Sequence, residues 1–106
     1  GLKFMGPKMF KQYPYEEIYF IEQAKNIVAR VKCKVVYIGG VCTNNGIERI
    51  MAAGFDFIQI GRGLIFDPDF VKNAQSKPNY KNGCNHCNEC ASLIEAPGGI
   101  RCVLKD

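Results

Sequence analysis

The sequence predicts an α/β chain built on parallel strands, and two observations carry that expectation. Val35-Val36-Tyr37-Ile38-Gly39-Gly40-Val41 and Phe57-Ile58-Gln59-Ile60-Gly61-Arg62-Gly63-Leu64 are both short apolar runs that lead into glycine. Each run is rich in β-branched and aromatic residues, as buried strands are, and a helical pattern lies between them, which makes a βαβ unit. Glycine just past a strand leaves the backbone N–H groups open to an anion, with no Cβ in the way. Arg62 adds a planar cationic fork suited to phosphate oxygens. Two such turns side by side predict a phosphate site.

The elements follow in order. Residues 1–14 contain glycine, two prolines and scattered aromatics without a period, and read as a loop. From Tyr15, a helix is expected because Phe20, Ile21, Ala24, Ile27, Val28 and Val31 recur at helical spacing, with polar residues between them. Val35 to Ile38 is the first strand. Thr43-Asn44-Asn45 offers an N-cap, Ile47, Ile50 and Met51 make an apolar stripe, and Gly54 stands where a helix ends in the left-handed conformation. Phe57 to Ile60 is the second strand. Asp67-Pro68 supplies a capping side chain and then proline at the first helical position, so a third helix runs to about Ala74. Ser76-Lys77-Pro78-Asn79 breaks that pattern. The organisation is therefore an α/β portion over residues 1–78 and a cysteine-rich tail over 79–106.

The ordered set Ile38-Gly39-Gly40, Ala52-Ala53-Gly54-Phe55-Asp56, Ile60-Gly61-Arg62-Gly63-Leu64 and Asp67-Pro68-Asp69-Phe70 resembles the end of an old yellow enzyme-type barrel. This is the NADH:flavin oxidoreductase family, which includes 2,4-dienoyl-CoA reductase. The resemblance runs from about Tyr15 to the C-terminus. It implies the C-terminal portion of a (β/α)8 TIM barrel, with Val35 to Ile38 as strand 7 and Phe57 to Ile60 as strand 8, where barrels of this kind commonly hold phosphate. A complete barrel needs roughly 250 residues, and 106 supply only its last part. The resemblance implies that Gly39, Gly40, Gly61 and Arg62 hold the phosphate of FMN. It also implies hydride transfer from NADH or NADPH, through the flavin, to an activated alkene or enoyl substrate. The family's flavin-ring ligands and tyrosine proton donor come from earlier strands, so no catalytic residue is assigned to this chain, and the segment alone is expected to be inactive. Tyr13, Tyr15, Tyr19, Tyr37 and Tyr80 are expected to serve packing.

Cys84, Cys87, Cys90 and Cys102 follow the spacing C-x2-C-x2-C-x11-C. Two-residue gaps turn successive thiolates toward one centre, and a distant fourth can close a tetrahedral set around zinc or an iron–sulfur cluster. The dienoyl-CoA reductase branch of the resembled family places a [4Fe–4S] cluster on a similar set, with three residues in its second gap where this chain has two. Zinc, a cluster and an empty site all stay open. His86 is expected to face solvent, and Cys33 and Cys42 to be small packing residues.

Composition sets the outer limits. The net charge of +4 is spread among acidic residues with no basic block, which argues against nucleic acid as a partner. No apolar run reaches membrane-spanning length and none resembles a signal peptide, so no membrane partner and a cytoplasmic location are expected. Expected partners are FMN, NAD(P)H and a small-molecule substrate. Two strands cannot close a barrel, and self-association through unpaired strand edges follows as an expectation. Two other functions fit the residues: a small metal-binding interaction module whose glycines merely turn the chain, and a piece of another phosphate-binding barrel enzyme.

Overall fold

The computed structural model describes residues 14–106. The expected loop over residues 1–14, with Tyr13 in it, therefore lies outside the described residues except for Pro14. In chain order the elements are α1 (Ile21–Val28), β1 (Val36–Ile38), α2 (Asn44–Ala52), β2 (Phe57–Gln59), α3 (Arg62–Phe66) and α4 (Phe70–Ser76). Two short 3-10 turns, Glu89–Leu93 and Val103–Lys105, lie in the tail.

The βαβ unit forms. β1 and β2 pair in parallel with Val36 opposite Phe57, Tyr37 opposite Ile58 and Ile38 opposite Gln59. α2 is the crossover. Thr43 is its N-cap, with Oγ1 accepting from Gly46 N at 3.0 Å, and Gly54 follows its end at φ +102°. Asp56 closes the lower end of the pair by accepting from Val35 N at 2.9 Å.

The core is the set that this unit covers: Ile18, Ile21, Tyr37, Val41, Ile50, Phe55 and Phe70. Strand alternation puts Tyr37 into it and turns Val36 and Ile38 outward. Val36, Ile38 and Phe57 are 50%, 52% and 53% exposed, so the opposite face of the small sheet carries an apolar surface with no cover among the described residues.

Three features differ from the sequence expectation. The first helix starts at Ile21, not Tyr15, because residues 17–20 form a turn in which Ile18 takes φ +45°. That conformation is rare for a β-branched residue, and here Ile18 N donates to Gly40 O at 3.1 Å while the side chain fills the core. Only Ile21, Ala24 and Val28 of the expected apolar face are covered; Phe20 and Ile27 are exposed. Secondly, a five-residue helix, α3, follows Gly61 directly. Thirdly, the helix after Asp67-Pro68 begins at Phe70. Asp67 does not cap it. Its Oδ1 accepts from Asp69 N at 3.0 Å and its Oδ2 accepts from Asn73 Nδ2 at 2.8 Å and from the Tyr80 hydroxyl, so this carboxylate ties the start of α4 to the tail.

The tail is stitched onto the α/β portion rather than hanging from it. Thr43 and Lys81 form an antiparallel bridge. Asn82 is 2% exposed; its N donates to Cys42 O at 2.8 Å, its Nδ2 to Gly63 O at 2.9 Å, and its Oδ1 accepts from Cys84 N at 2.9 Å. Gly83 packs so closely that a Cβ there would run into the Phe66 ring.

Candidate functional site

Parallel pairing of β1 with β2 sets the two glycine turns side by side at the same end of the sheet. They border one cleft of about 170 Å³, lined by Gly39, Gly40, Gly61 and Arg62 together with Tyr19, Gln59 and His86 among others. The four residues predicted to bind an anion are thus brought together.

The glycines are not equivalent. Gly39 and Gly40 have φ of +136° and +68°, and a Cβ would stand 2.8 Å from Phe20 Cδ2 at the first and 2.6 Å from Tyr19 Cδ1 at the second. The fold itself requires glycine at both positions: positive φ and aromatic rings leave no room for a side chain. Gly61 is different. It is exposed, its φ is −103°, and a Cβ there would meet nothing within 4 Å. Gly61 is the N-cap of α3, a position glycine suits, and no neighbouring atom fills the space beside it, which leaves the backbone open to an approaching anion.

Glu17 and Tyr15 brace the first turn. The Tyr15 hydroxyl lies 2.7 Å from Gly40 O and 2.5 Å from Glu17 Oε2. Glu17 Oε1 accepts from Thr43 N at 3.2 Å and from Thr43 Oγ1 at 2.7 Å. A Cβ on Gly46 would overlap this carboxylate. Burial, reinforced by the bond to Glu17, holds the Tyr15 hydroxyl well above the usual phenol range, so it stays protonated at neutral pH.

Arg62 is the cationic group of the cleft. Nη1 donates to Asn88 Oδ1 at 2.5 Å, and Nη2 stands 3.5 Å from the Tyr19 hydroxyl. Among the described residues its other side-chain N–H groups make no hydrogen bond, and they can serve an anion. His86, expected at the surface, is instead half-buried and stacks on Tyr15 with ring centroids 3.5 Å apart and planes 8° from parallel. Burial, with Arg62 beside it, holds the imidazole below its ordinary range. Among the described residues His86 Nε2 is buried without a hydrogen-bond partner. A larger cavity of about 530 Å³ adjoins, lined by Tyr15, Tyr19, Phe20, Arg62, His86 and Asn88 among others.

Cys84, Cys87, Cys90 and Cys102 all border one small cavity of about 20 Å³. The predicted donor set is therefore gathered, and none of the four is in a disulfide. It is not closed around a point: among the described residues, no three His, Cys, Asp or Glu side chains stand in an arrangement that would hold a metal ion. Cys84 Sγ accepts from His86 N at 3.4 Å, and Cys90 lies inside a 3-10 turn that begins after left-handed Asn88. Burial, with Cys84 next in effect, pushes the Cys90 thiol up, so a metal would have to displace its proton. The two remaining cysteines divide: Cys42 is buried with Sγ 3.5 Å from Asn82 O, as expected of a packing residue, whereas Cys33 is exposed.

Sequence reading missed Tyr19, Asn82 and Asn88. Only Asn88 carries a signal, since an asparagine between closely spaced cysteines is a residue type that adopts positive φ, here +66°.

No helix among the described residues is long and apolar enough to cross a membrane. No family model matches the chain, and no solved structure matches it. Curated relatives do. All 106 residues align at 36% identity with 26% of the 4,4'-dithiodibutanoate disulfide reductase of Rhodococcus erythropolis. At 31% identity, 77% of the chain aligns with 13% of the NADH oxidase of Thermoanaerobacter brockii. At 28% identity, 81% of it aligns with 14% of the bilirubin reductase of Mediterraneibacter gnavus. The chain spans about a quarter or less of each relative's length, and each relative is by name an oxidoreductase, so what the chain resembles is one segment of larger oxidoreductases.

Proposed function

We propose that this chain is the C-terminal part of an FMN-dependent NAD(P)H oxidoreductase barrel, in which β1 and β2 are the last two strands and Gly39, Gly40, Gly61 and Arg62 hold the FMN phosphate. One observation carries the reading: parallel pairing puts two strand-to-glycine turns and one arginine around a single cleft, with unfilled space at Gly61. Backbone N–H groups and a guanidinium are the donors that phosphate recognition uses. The oxidoreductase names of the relatives support the same reading.

The chemistry that FMN supplies when bound is hydride transfer from NADH or NADPH to an activated alkene or enoyl substrate, and it belongs to the full-length protein. What these residues do is narrower. Gly61 leaves the backbone accessible, Arg62 supplies charge, and the Tyr15–Glu17–Thr43 bonds fix the Gly40 peptide so that little reorganisation accompanies binding. The outward apolar face of Val36, Ile38 and Phe57 is the surface that the interior of a complete barrel would cover. Cys84, Cys87, Cys90 and Cys102 line one cavity and would supply the thiolates for zinc or an iron–sulfur cluster.

Titration of FMN into the full-length apoprotein and its Arg62→Ala variant tests the reading. Charged hydrogen bonds contribute about 1.5–3 kcal/mol, so Arg62→Ala should weaken FMN by roughly ten- to a hundredfold. Unchanged FMN affinity would rule the phosphate assignment out.

A further inference from the structure

Arg62 borders the glycine cleft, the aromatic cavity beside it and the cysteine cavity behind it. Its guanidinium is free to sample many rotamers unless something holds it. What holds it is a residue of the cysteine loop: Nη1 donates to Asn88 Oδ1 at 2.5 Å, while the contact of Nη2 with Tyr19 is at the limit of bonding distance, 3.5 Å. Asn88 follows Cys87 directly and precedes Cys90 by two residues. It takes φ +66°, and His86, two residues earlier, takes φ +59°. Non-glycine residues persist in this conformation only where their surroundings over-determine them. Glycine would make the same turn without steric cost. The amide oxygen is therefore what sets Asn88 apart from a plain turn residue, and its partner is the arginine of the cleft.

We propose that Asn88 is the positioning residue for Arg62, through which the cysteine loop holds the guanidinium so that its remaining N–H groups meet an anion at the Gly39–Gly40 and Gly61 turns. The proposal rests on the phosphate reading above. It couples two parts of the chain that are 26 residues apart in sequence. Reordering the cysteine loop changes anion affinity, and anion binding in turn orders the loop, because coupling between two sites is reciprocal.

A double-mutant cycle in the full-length apoprotein tests it, with FMN and riboflavin, which lacks the phosphate, as the two probes. Asn88→Gly keeps the left-handed backbone and removes the acceptor. It should weaken FMN about tenfold, a fraction of the full worth of a charged hydrogen bond, and leave riboflavin unchanged. With Arg62→Ala already in place, adding Asn88→Gly should cost nothing more, since a residue that acts through another is silent once that partner is gone. Equal losses for both ligands, additive losses in the double variant, or an unaffected Asn88→Gly beside a weakened Arg62→Ala would each overturn the positioning role. If Arg62→Ala itself binds FMN normally, the phosphate reading falls and takes this proposal with it.

Discussion

At the scale of single residues, glycine was legible in the sequence but its reason was not. Gly39 and Gly40 owe their identity to positive φ and to the rings of Phe20 and Tyr19, whereas Gly61 has open space beside it, which the proposed phosphate site would use. The two kinds part on substitution. Gly40→Ala should destabilise the fold by about 1–3 kcal/mol, because strain and ring overlap both oppose it. Gly61→Ala should change stability by no more than about 1 kcal/mol while weakening FMN more than riboflavin. Thermal melts paired with the two titrations check both halves; a melting loss at Gly61 as large as that at Gly40 would contradict the distinction. Asn82 and Asn88 gave little warning, since a lone amide in a loop has no period and its partners lie far along the chain. Asp67 adds a pH dependence. The Tyr80 hydroxyl foremost, then Asn73, hold its carboxyl below the usual range. A carboxylate with a depressed folded pKa contributes stability above its unfolded value, near 3.9, and loses it as pH falls through the lower folded value. Asp67→Asn should therefore lower Tm at neutral pH, and the gap from wild type should shrink below about pH 4. A gap that persists unchanged into acid would show that packing alone is responsible.

At the scale of elements, β1, α2 and β2 were readable because each carries a local signal: β-branched runs, the Thr43 cap and Gly54 beyond the helix end. α3 was not, because five residues are too few to show a helical period. The start of α1 moved because a tertiary contact, Ile18 N to Gly40 O, overrides the apolar spacing that continues back to Tyr15. The start of α4 moved because Asp67 bonds to Tyr80 and Asn73 instead of capping. Joining the elements falls to Asn82, which touches the exit of β1, α3 and the tail at once. Asn82→Ala leaves Cys84 N without its acceptor, while Gly63 O keeps the bond from Asp67 N at 2.9 Å, and should cost about 1–3 kcal/mol for the one unsatisfied group. Chemical denaturation measures it, and a loss under about 0.5 kcal/mol, the range of an ordinary surface change, would refute the joining role.

At the scale of the whole molecule, residues 14–106 form a βαβ unit with one covered face and one bare one. A two-stranded sheet with an exposed apolar face is a poor free-standing fold, and among the described residues each strand keeps an unpaired edge. The isolated chain should self-associate through Val36, Ile38 and Phe57. Sedimentation across a range of concentrations checks this: weight-average mass should rise with concentration, and a monomer throughout would show that the bare face is tolerated alone. The cleft was legible at this scale because both of its turns announce themselves as strand followed by glycine. The gathering of the cysteines around one cavity was legible in their spacing; the left-handed turn at Asn88 and the bond from His86 N to Cys84 Sγ were not, because neither carries a sequence period.

The claim on which the rest depends is that the paired glycine turns and Arg62 recognise phosphate. The most direct measurement is the ratio of FMN to riboflavin affinity in the wild-type full-length apoprotein, because the two ligands share the isoalloxazine ring and differ at the group the cleft is proposed to hold. A guanidinium with several backbone donors should favour FMN by at least roughly a hundredfold, the equivalent of about 2.7 kcal/mol. Equal affinity for the two would contradict the account.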